Sequence, residues 1–458
     1  MKIGCRRRSA FWYANLRKLQ RAALLSLAGC LLLTPYLARG QQTGPAAPAS
    51  TSPKPGCKHP ANPYRRQCTC NDQTFDWDET LAGDWNHLRR HLQRFGITPT
   101  ASYVGALQTN VTGGQSQVWS YAGQLSFAFT ADLGEIVKAR GLSAYVGASW
   151  GTGSNLAASL DSVIPTSGLY APSFYLGQMY LQQKLADKKL TILAGRLSAG
   201  NSFATLPVFA DYINYGINPN PYSIGANDVT FFGPPTGTEW GAQATYAITP
   251  AIQVAAGVFN TNVHSANGEN HGTDFALQEG NKGVLGIGEI DYLRNQSDNS
   301  TGKPGQIAAG ILGSNNSFPS LANPLNRSDG YRGAYLMGQQ MVLRPDGRGT
   351  SRGATAWGFW SHNSHELISA IPLFWGAGLS YEGLIPKRKS DLISAGLIHA
   401  EASKSAPRNN TETLLELNYQ WNHSRYLTIT PHAQYLWKQE SHQGRNATIL
   451  GIQLSIVL

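Results

Sequence analysis

Few side chains in this sequence could do chemistry, and they are scattered. His362, His365 and Glu366 lie close together, but their spacing fits neither a metal-binding helix nor a hydrolytic triad. A loop histidine bonded to its neighbours is the plainer reading. The sequences H-E-x-x-H, G-x-S-x-G and the Walker loop do not occur. Glu239, Glu289, Glu382 and Glu416 are candidate carboxylates, and pairing for glycoside hydrolysis is spatial and not legible in a sequence. The other work such groups do is recognition. Carboxylate, amide and guanidinium groups bond sugar hydroxyls, and aromatic rings stack on sugar faces.

One stretch concentrates those types. Residues 198–237 carry Phe203, Phe209, Tyr212, Tyr215, Tyr222, Phe231 and Phe232, with Asp211, Asn214 and Asn218 among them. Arg196 stands just before the stretch and Glu239 just after it. So many aromatics argue against a solvated tail, and structureless connections longer than about 12–15 residues usually have a function. The stretch is therefore expected to fold into whatever encloses it and to narrow it, with Arg196 facing Glu239 across the opening. The bland alternative is packing over an outer rim. Trp240, Trp357, Trp421, Tyr419 and Trp437 read as membrane-interface aromatics rather than sugar platforms.

What encloses the stretch follows from composition and period. Only 14% of the 458 residues are charged, against roughly 25% in an average soluble domain. Gly numbers 49 and Tyr 20, and no apolar run beyond residue 40 approaches the ~18 residues of a spanning helix. Of the 37 basic groups eight fall in residues 1–40, which hold no acidic group; the remainder has 29 basic and 27 acidic groups. A nearly neutral chain gives no support to nucleic-acid binding.

Residues 1–40 read as a signal peptide, with an apolar stretch Ala22–Leu33 and a small-residue cleavage site at Ala38-Arg39-Gly40. Two rivals exist: a lipobox ending at Cys30, and a twin-arginine signal at Arg7-Arg8. Residues 41–80 form a Pro-, Ala-, Ser- and Thr-rich linker with Cys57, Cys68 and Cys70, one disulfide joining Cys57 to Cys68 or Cys70 in an oxidising compartment. Leu81, Trp85, Leu88, Leu92 and Phe95 then mark one face of a short helix over 81–96. No metal or cofactor is expected.

From Ile97 the period is two. Leu450, Ile452, Leu454, Ile456 and Leu458 alternate with Gly451, Gln453, Ser455 and Val457, and Leu415, Leu417, Tyr419 and Trp421 with Glu416, Asn418 and Gln420. About 16 such segments are counted over 97–458, with long connections at 151–172, 198–237, 261–282 and 313–332 and mostly short ones between. The fold class is all-β: a transmembrane antiparallel β-barrel of about 16 strands with a short N-terminal helix, wide enough for water. By alternation Glu239, Glu289, Glu382 and Glu416 face the lumen.

From Leu81 onward the chain also resembles the OprB-type carbohydrate-selective porins. The matching stretches include Leu81-Ala82-Gly83-Asp84-Trp85, Asn110-Val111-Thr112-Gly113-Gly114, Tyr331-Arg332-Gly333-Ala334-Tyr335, Tyr381-Glu382-Gly383-Leu384-Ile385-Pro386, Thr411 through Tyr419, and Pro431-His432-Ala433-Gln434-Tyr435. It departs from the family pattern at Asn86-His87, usually Gly-Gly, and in ending on Leu458 rather than an aromatic residue. The resemblance implies an outer-membrane channel for passive diffusion of neutral sugars, glucose-like monosaccharides first, in contact with outer-membrane lipid. A homotrimer and the barrel-assembly machinery complete the expected partners. The alternatives are a barrel-embedded hydrolase, a porin without sugar selectivity, and a secreted all-β lectin.

Overall fold

The computed structural model describes residues 80–169, 174–226, 237–261, 270–275, 283–297, 300–347, 351–406, 411–439 and 445–458. The signal segment, the linker with Cys57, Cys68 and Cys70, and Phe231 and Phe232 lie outside the described residues.

Sixteen antiparallel strands follow in order: β1 Ile97–Thr112, β2 Trp119–Asp132, β3 Leu142–Gly153, β4 Phe174–Leu185, β5 Leu190–Leu197, β6 Glu239–Ala247, β7 Ile252–Asn260, β8 Val284–Arg294, β9 Gly305–Pro319, β10 Arg327–Leu343, β11 Gly353–Asn363, β12 Leu373–Glu382, β13 Leu392–Glu401, β14 Thr411–Asn422, β15 Leu427–Gln439 and β16 Ala447–Val457. Each pairs with its neighbours in sequence, and β1 closes on β16 with Gly105 opposite Leu454 and Gln108 opposite Gly451. Closure is what hydrocarbon requires. An open edge would strand backbone N–H and C=O groups at several kcal/mol each.

The two faces differ as the alternation requires. Ile307, Ile311, Leu336, Leu417, Leu450 and Ile452 point outward and are exposed, whereas Glu289, Glu416, Asn418, His432 and Gln434 point inward. Trp119, Trp150, Trp360, Trp375 and Trp437 stand on the outer face near one rim, and Tyr246 and Tyr292 near the other. These are the two levels at which amphipathic rings meet membrane–water interfaces. The connections after odd-numbered strands include the three longest, and all three leave the same rim.

Two sequence expectations need correction. Residues 313–332 are not a long connection: β9 runs on to Pro319 and β10 begins at Arg327, paired from Tyr331 opposite Ser314 to Arg327 opposite Pro319 with one register shift between Asp329 and Tyr331. The outer face of the extension is polar because it projects beyond the hydrocarbon, while Phe318 and Tyr331 are buried on its other face. The N-terminal helix spans only Leu88–Arg94 (α1) rather than 81–96. Trp85, Asn86 and His87 take φ of 49°, 56° and 73°, which breaks the helix before Leu88. Left-handed backbone explains why glycine suits positions 86 and 87.

This N-terminal segment is tied to the barrel. The Leu81 amide donates to the Val457 carbonyl (2.9 Å), and Arg89 Nη2 donates to the Leu458 carbonyl (2.8 Å). Asp84 is buried and accepts from the Arg90 amide (3.0 Å) and guanidinium (2.5 Å). Burial opposes its ionisation, but the Arg90 amide and guanidinium, with His87, outweigh it and hold the carboxyl below the usual carboxylate range.

Candidate channel constriction

The lumen is not water alone. Leu414, Leu436, Ile449, Phe259, Phe359 and Phe374 point into it and are buried against residues of two inward-folded connections, including Leu160, Ile164, Phe203, Phe209 and Ile217. The sequence shows those inward apolar positions only as breaks in a polar face. Their reason is the tertiary cover.

The larger connection leaves β5, and its residues 198–226 cross the inside of the barrel to β14. Carboxylates anchor it. Glu289 Oε2 on β8 accepts from the Ala204 amide (2.8 Å) and the Tyr335 hydroxyl (2.7 Å). Glu416, halfway along β14, accepts from the Ile213 amide at Oε1 (2.8 Å) and the Asn214 amide at Oε2 (2.7 Å), with Asn418 also donating to Oε1. Gln339 Oε1 takes the Val208 amide (2.9 Å). Between these points lies an aromatic node. Trp357 Nε1 donates to the Tyr212 hydroxyl (2.8 Å), which donates onward to the Ala395 carbonyl (3.0 Å), and Phe209 meets Trp357 and Phe359 edge-on. Amides bonded to buried carboxylates are among the stronger contacts available to a loop.

The smaller connection, 154–173, uses the same device. Glu412 Oε2 accepts from Ser162 Oγ (2.7 Å) and the Val163 amide (3.0 Å), while Lys438 Nζ lies 3.7 Å from Glu412 Oε1 and donates to the Leu160 carbonyl. Thr166 and Gln108 exchange bonds, Gln434 donates to the Thr166 carbonyl, and the Tyr215 amide donates to the Pro165 carbonyl. The two connections thus brace each other.

Across the barrel the wall of β2, β3 and β4 carries Gln124, Ser143, Tyr145, Tyr180 and Gln182 facing inward. Gln182 donates to Ser143 Oγ (3.4 Å), Gln124 donates to Ser126 Oγ (2.9 Å), and the rings of Tyr145 and Tyr180 stack at 4.8 Å. All are at most half-buried apart from Ser126.

The expected site residues separate by burial. Tyr212, Asn214, Glu289 and Glu416 are buried and engaged in holding the loop. Burial raises the Tyr212 phenol well above its ordinary range, so it serves as a neutral hydroxyl. Asp211, whose carbonyl accepts from Asn418 and Gln420 (3.0 Å each), and Tyr215 are half-buried. Glu382 is half-buried at the end of β12. Arg196 does not face Glu239 across an opening. Their strands are adjacent, with Leu197 opposite Glu239 in register, and both side chains are buried. The Arg196 guanidinium donates to Thr238 Oγ1 (3.1 Å), the Tyr175 hydroxyl (2.6 Å) and the Gly272 carbonyl, fastening the rim. Trp357 is also corrected: it points into the lumen, 5% exposed, rather than to the membrane interface. Nothing local in the sequence marks Trp357, Glu412, Lys438 and Gln339 as loop anchors, because tertiary folding decides which inward side chains a distant loop covers.

A closed 16-stranded barrel, apolar outside and narrowed at mid-height by its own connections, is a membrane diffusion channel. The chain belongs to the OprB family of carbohydrate-selective porins, whose family model matches residues 116–458. It is similar to Porin B of Pseudomonas aeruginosa, at 22% identity over 434 residues covering 82% of this chain and 91% of that one. It is also similar to the putative porin QuiX of Acinetobacter baylyi, at 22% identity with 78% and 88% covered. Among solved structures, the high-pH form of Pseudomonas putida OprB superimposes with a TM-score of 0.74, at 21% identity, covering 84% of this chain and all of that one. The protein is an outer-membrane sugar porin of the Gram-negative type.

Proposed function

We propose that glucose-like monosaccharides diffuse passively through the gap between the 198–226 segment and the β2–β4 wall. The observation that carries this reading is the anchoring of one connection at mid-height by both Glu289 and Glu416. Asp211 and Tyr215 on the loop and Glu382 at the opposite mouth are the partners a sugar would meet. Gln124, Tyr145, Tyr180 and Gln182 supply amides, phenols and ring edges from the wall. Tyr212, Asn214, Glu289 and Glu416 act indirectly, by holding the loop, and Arg196 and Glu239 by fixing its base. The absence of catalysis, a homotrimeric assembly, delivery by the barrel-assembly machinery and a cleaved signal peptide ahead of a linker belong to the same proposal. Against a hydrolase stands the use of Glu289 and Glu416 as acceptors for backbone amides.

Swelling of liposomes reconstituted with the protein tests the reading. Glucose should enter faster than an amino acid or a disaccharide, with the sugar recovered chemically unchanged. Equal entry of all small solutes would point to a general porin, and hydrolysed sugar or phospholipid to an enzyme.

A further inference from the structure

We infer that the short-turn rim beneath β1–β5 binds an anionic phospholipid of the periplasmic leaflet. Three pieces of that rim form one continuous surface. The Asp132 amide donates to the Gly96 carbonyl (2.7 Å), joining the end of α1 to the turn between β2 and β3. The Lys184 amide donates to the Gly141 carbonyl (2.8 Å) and Gln183 Nε2 to the Arg140 carbonyl (3.0 Å), joining that turn to the one between β4 and β5. Outward on this surface stand Phe95, Ile136, Val137 and Leu185, exposed by 60%, 43%, 64% and 44%. Beside them are the exposed cations Arg94, Lys138, Arg140, Lys188 and Lys189, which outnumber the exposed carboxylates Asp132, Glu135 and Asp187 on the same surface.

The opposite end of the same sector differs. Residues 113–118, 154–169 and 198–226 contain no Lys or Arg. Within this sector the exposed cations therefore stand at the short-turn end, next to apolar side chains too exposed for an aqueous surface. This combination matches the hydrocarbon–headgroup boundary. The four apolar groups would meet acyl chains, and the long basic side chains would reach outward to phosphate, as Lys and Arg do at interfaces. A leaflet carrying anionic headgroups attracts each such cation. Short turns lie on the periplasmic side of such barrels, so the leaflet concerned is the phospholipid one. The inference needs only the barrel and its orientation, not sugar selectivity.

Native mass spectrometry of the folded full chain, released from a neutral detergent with phosphatidylglycerol or phosphatidylcholine added, tests it. Bound phosphatidylglycerol should exceed phosphatidylcholine. The combined variant Lys138→Gln, Arg140→Gln, Lys188→Gln and Lys189→Gln should weaken phosphatidylglycerol binding by about tenfold or more while leaving phosphatidylcholine unchanged. A second variant, Lys387→Gln with Lys389→Gln on the turn between β12 and β13, should retain it. Folding of both is read from resistance to SDS before boiling. Equal binding of the two lipids by the unaltered protein would overturn the proposal. So would retention by a folded quadruple variant, or an equal loss in the β12–β13 variant.

Discussion

At the scale of single residues, the inward carboxylates Glu289, Glu412 and Glu416 hold the loops. Glu416→Ala would leave the buried amides of Ile213 and Asn214 without acceptors, at about 1–3 kcal/mol for each. The variant should lose its SDS-resistant form at a clearly lower temperature, and its open channel should be noisier. Glu382→Ala, on a half-buried side chain at the mouth, should stay within about 0.5 kcal/mol of the parent. Parent-like stability and noise in Glu416→Ala would place the anchoring elsewhere. A pH effect belongs to this scale too. The carboxyl of Asp84 is depressed in the folded state, so its contribution is complete above the ordinary carboxylate range and is lost only as pH falls through the lower folded value. Pepsin should therefore begin to cut within residues 81–95 only below about pH 4. Cutting that starts well above that range would show that Asp84 does not hold the segment. The sequence marked Glu289 and Glu416 as inward by alternation, but not their task, because the loop amides they serve are more than eighty residues away along the chain.

At the scale of elements, the period of two was readable because lipid and water select opposite side chains on every strand. The 16 strands match the count of about 16. The period failed where the selection stops: beyond the membrane the outer faces of β9 and β10 are polar, and Asn316 Nδ2 bonds Thr261 Oγ1 (2.9 Å), so no alternation marked them as strand. It failed again at Trp357, which reads as a membrane-interface aromatic until the loop covers it. The alternation has a direct consequence. Ile452, exposed at the centre of β16, should cost roughly 2–4 kcal/mol when changed to Arg, whereas Gln124→Arg on the inward face of β2 should be tolerated. Refolding titrations into lipid vesicles measure both, and equal losses would mean that the two faces are not lipid and water.

At the scale of the whole molecule, function depends on how far the 198–226 segment narrows the barrel. A bare 16-stranded barrel holds a wide aqueous channel that would pass small solutes with little choice. This chain fills part of that width with two mutually braced connections and leaves amides and phenols on the facing wall. Single-channel recording with and without glucose, on the parent and on a deletion of residues 206–226 that still resists SDS, measures this narrowing most directly. The parent should show small, steady conductance reduced by glucose, and the deletion should show larger conductance that glucose no longer blocks. Equal conductance and equal glucose block in the two proteins would contradict the constriction.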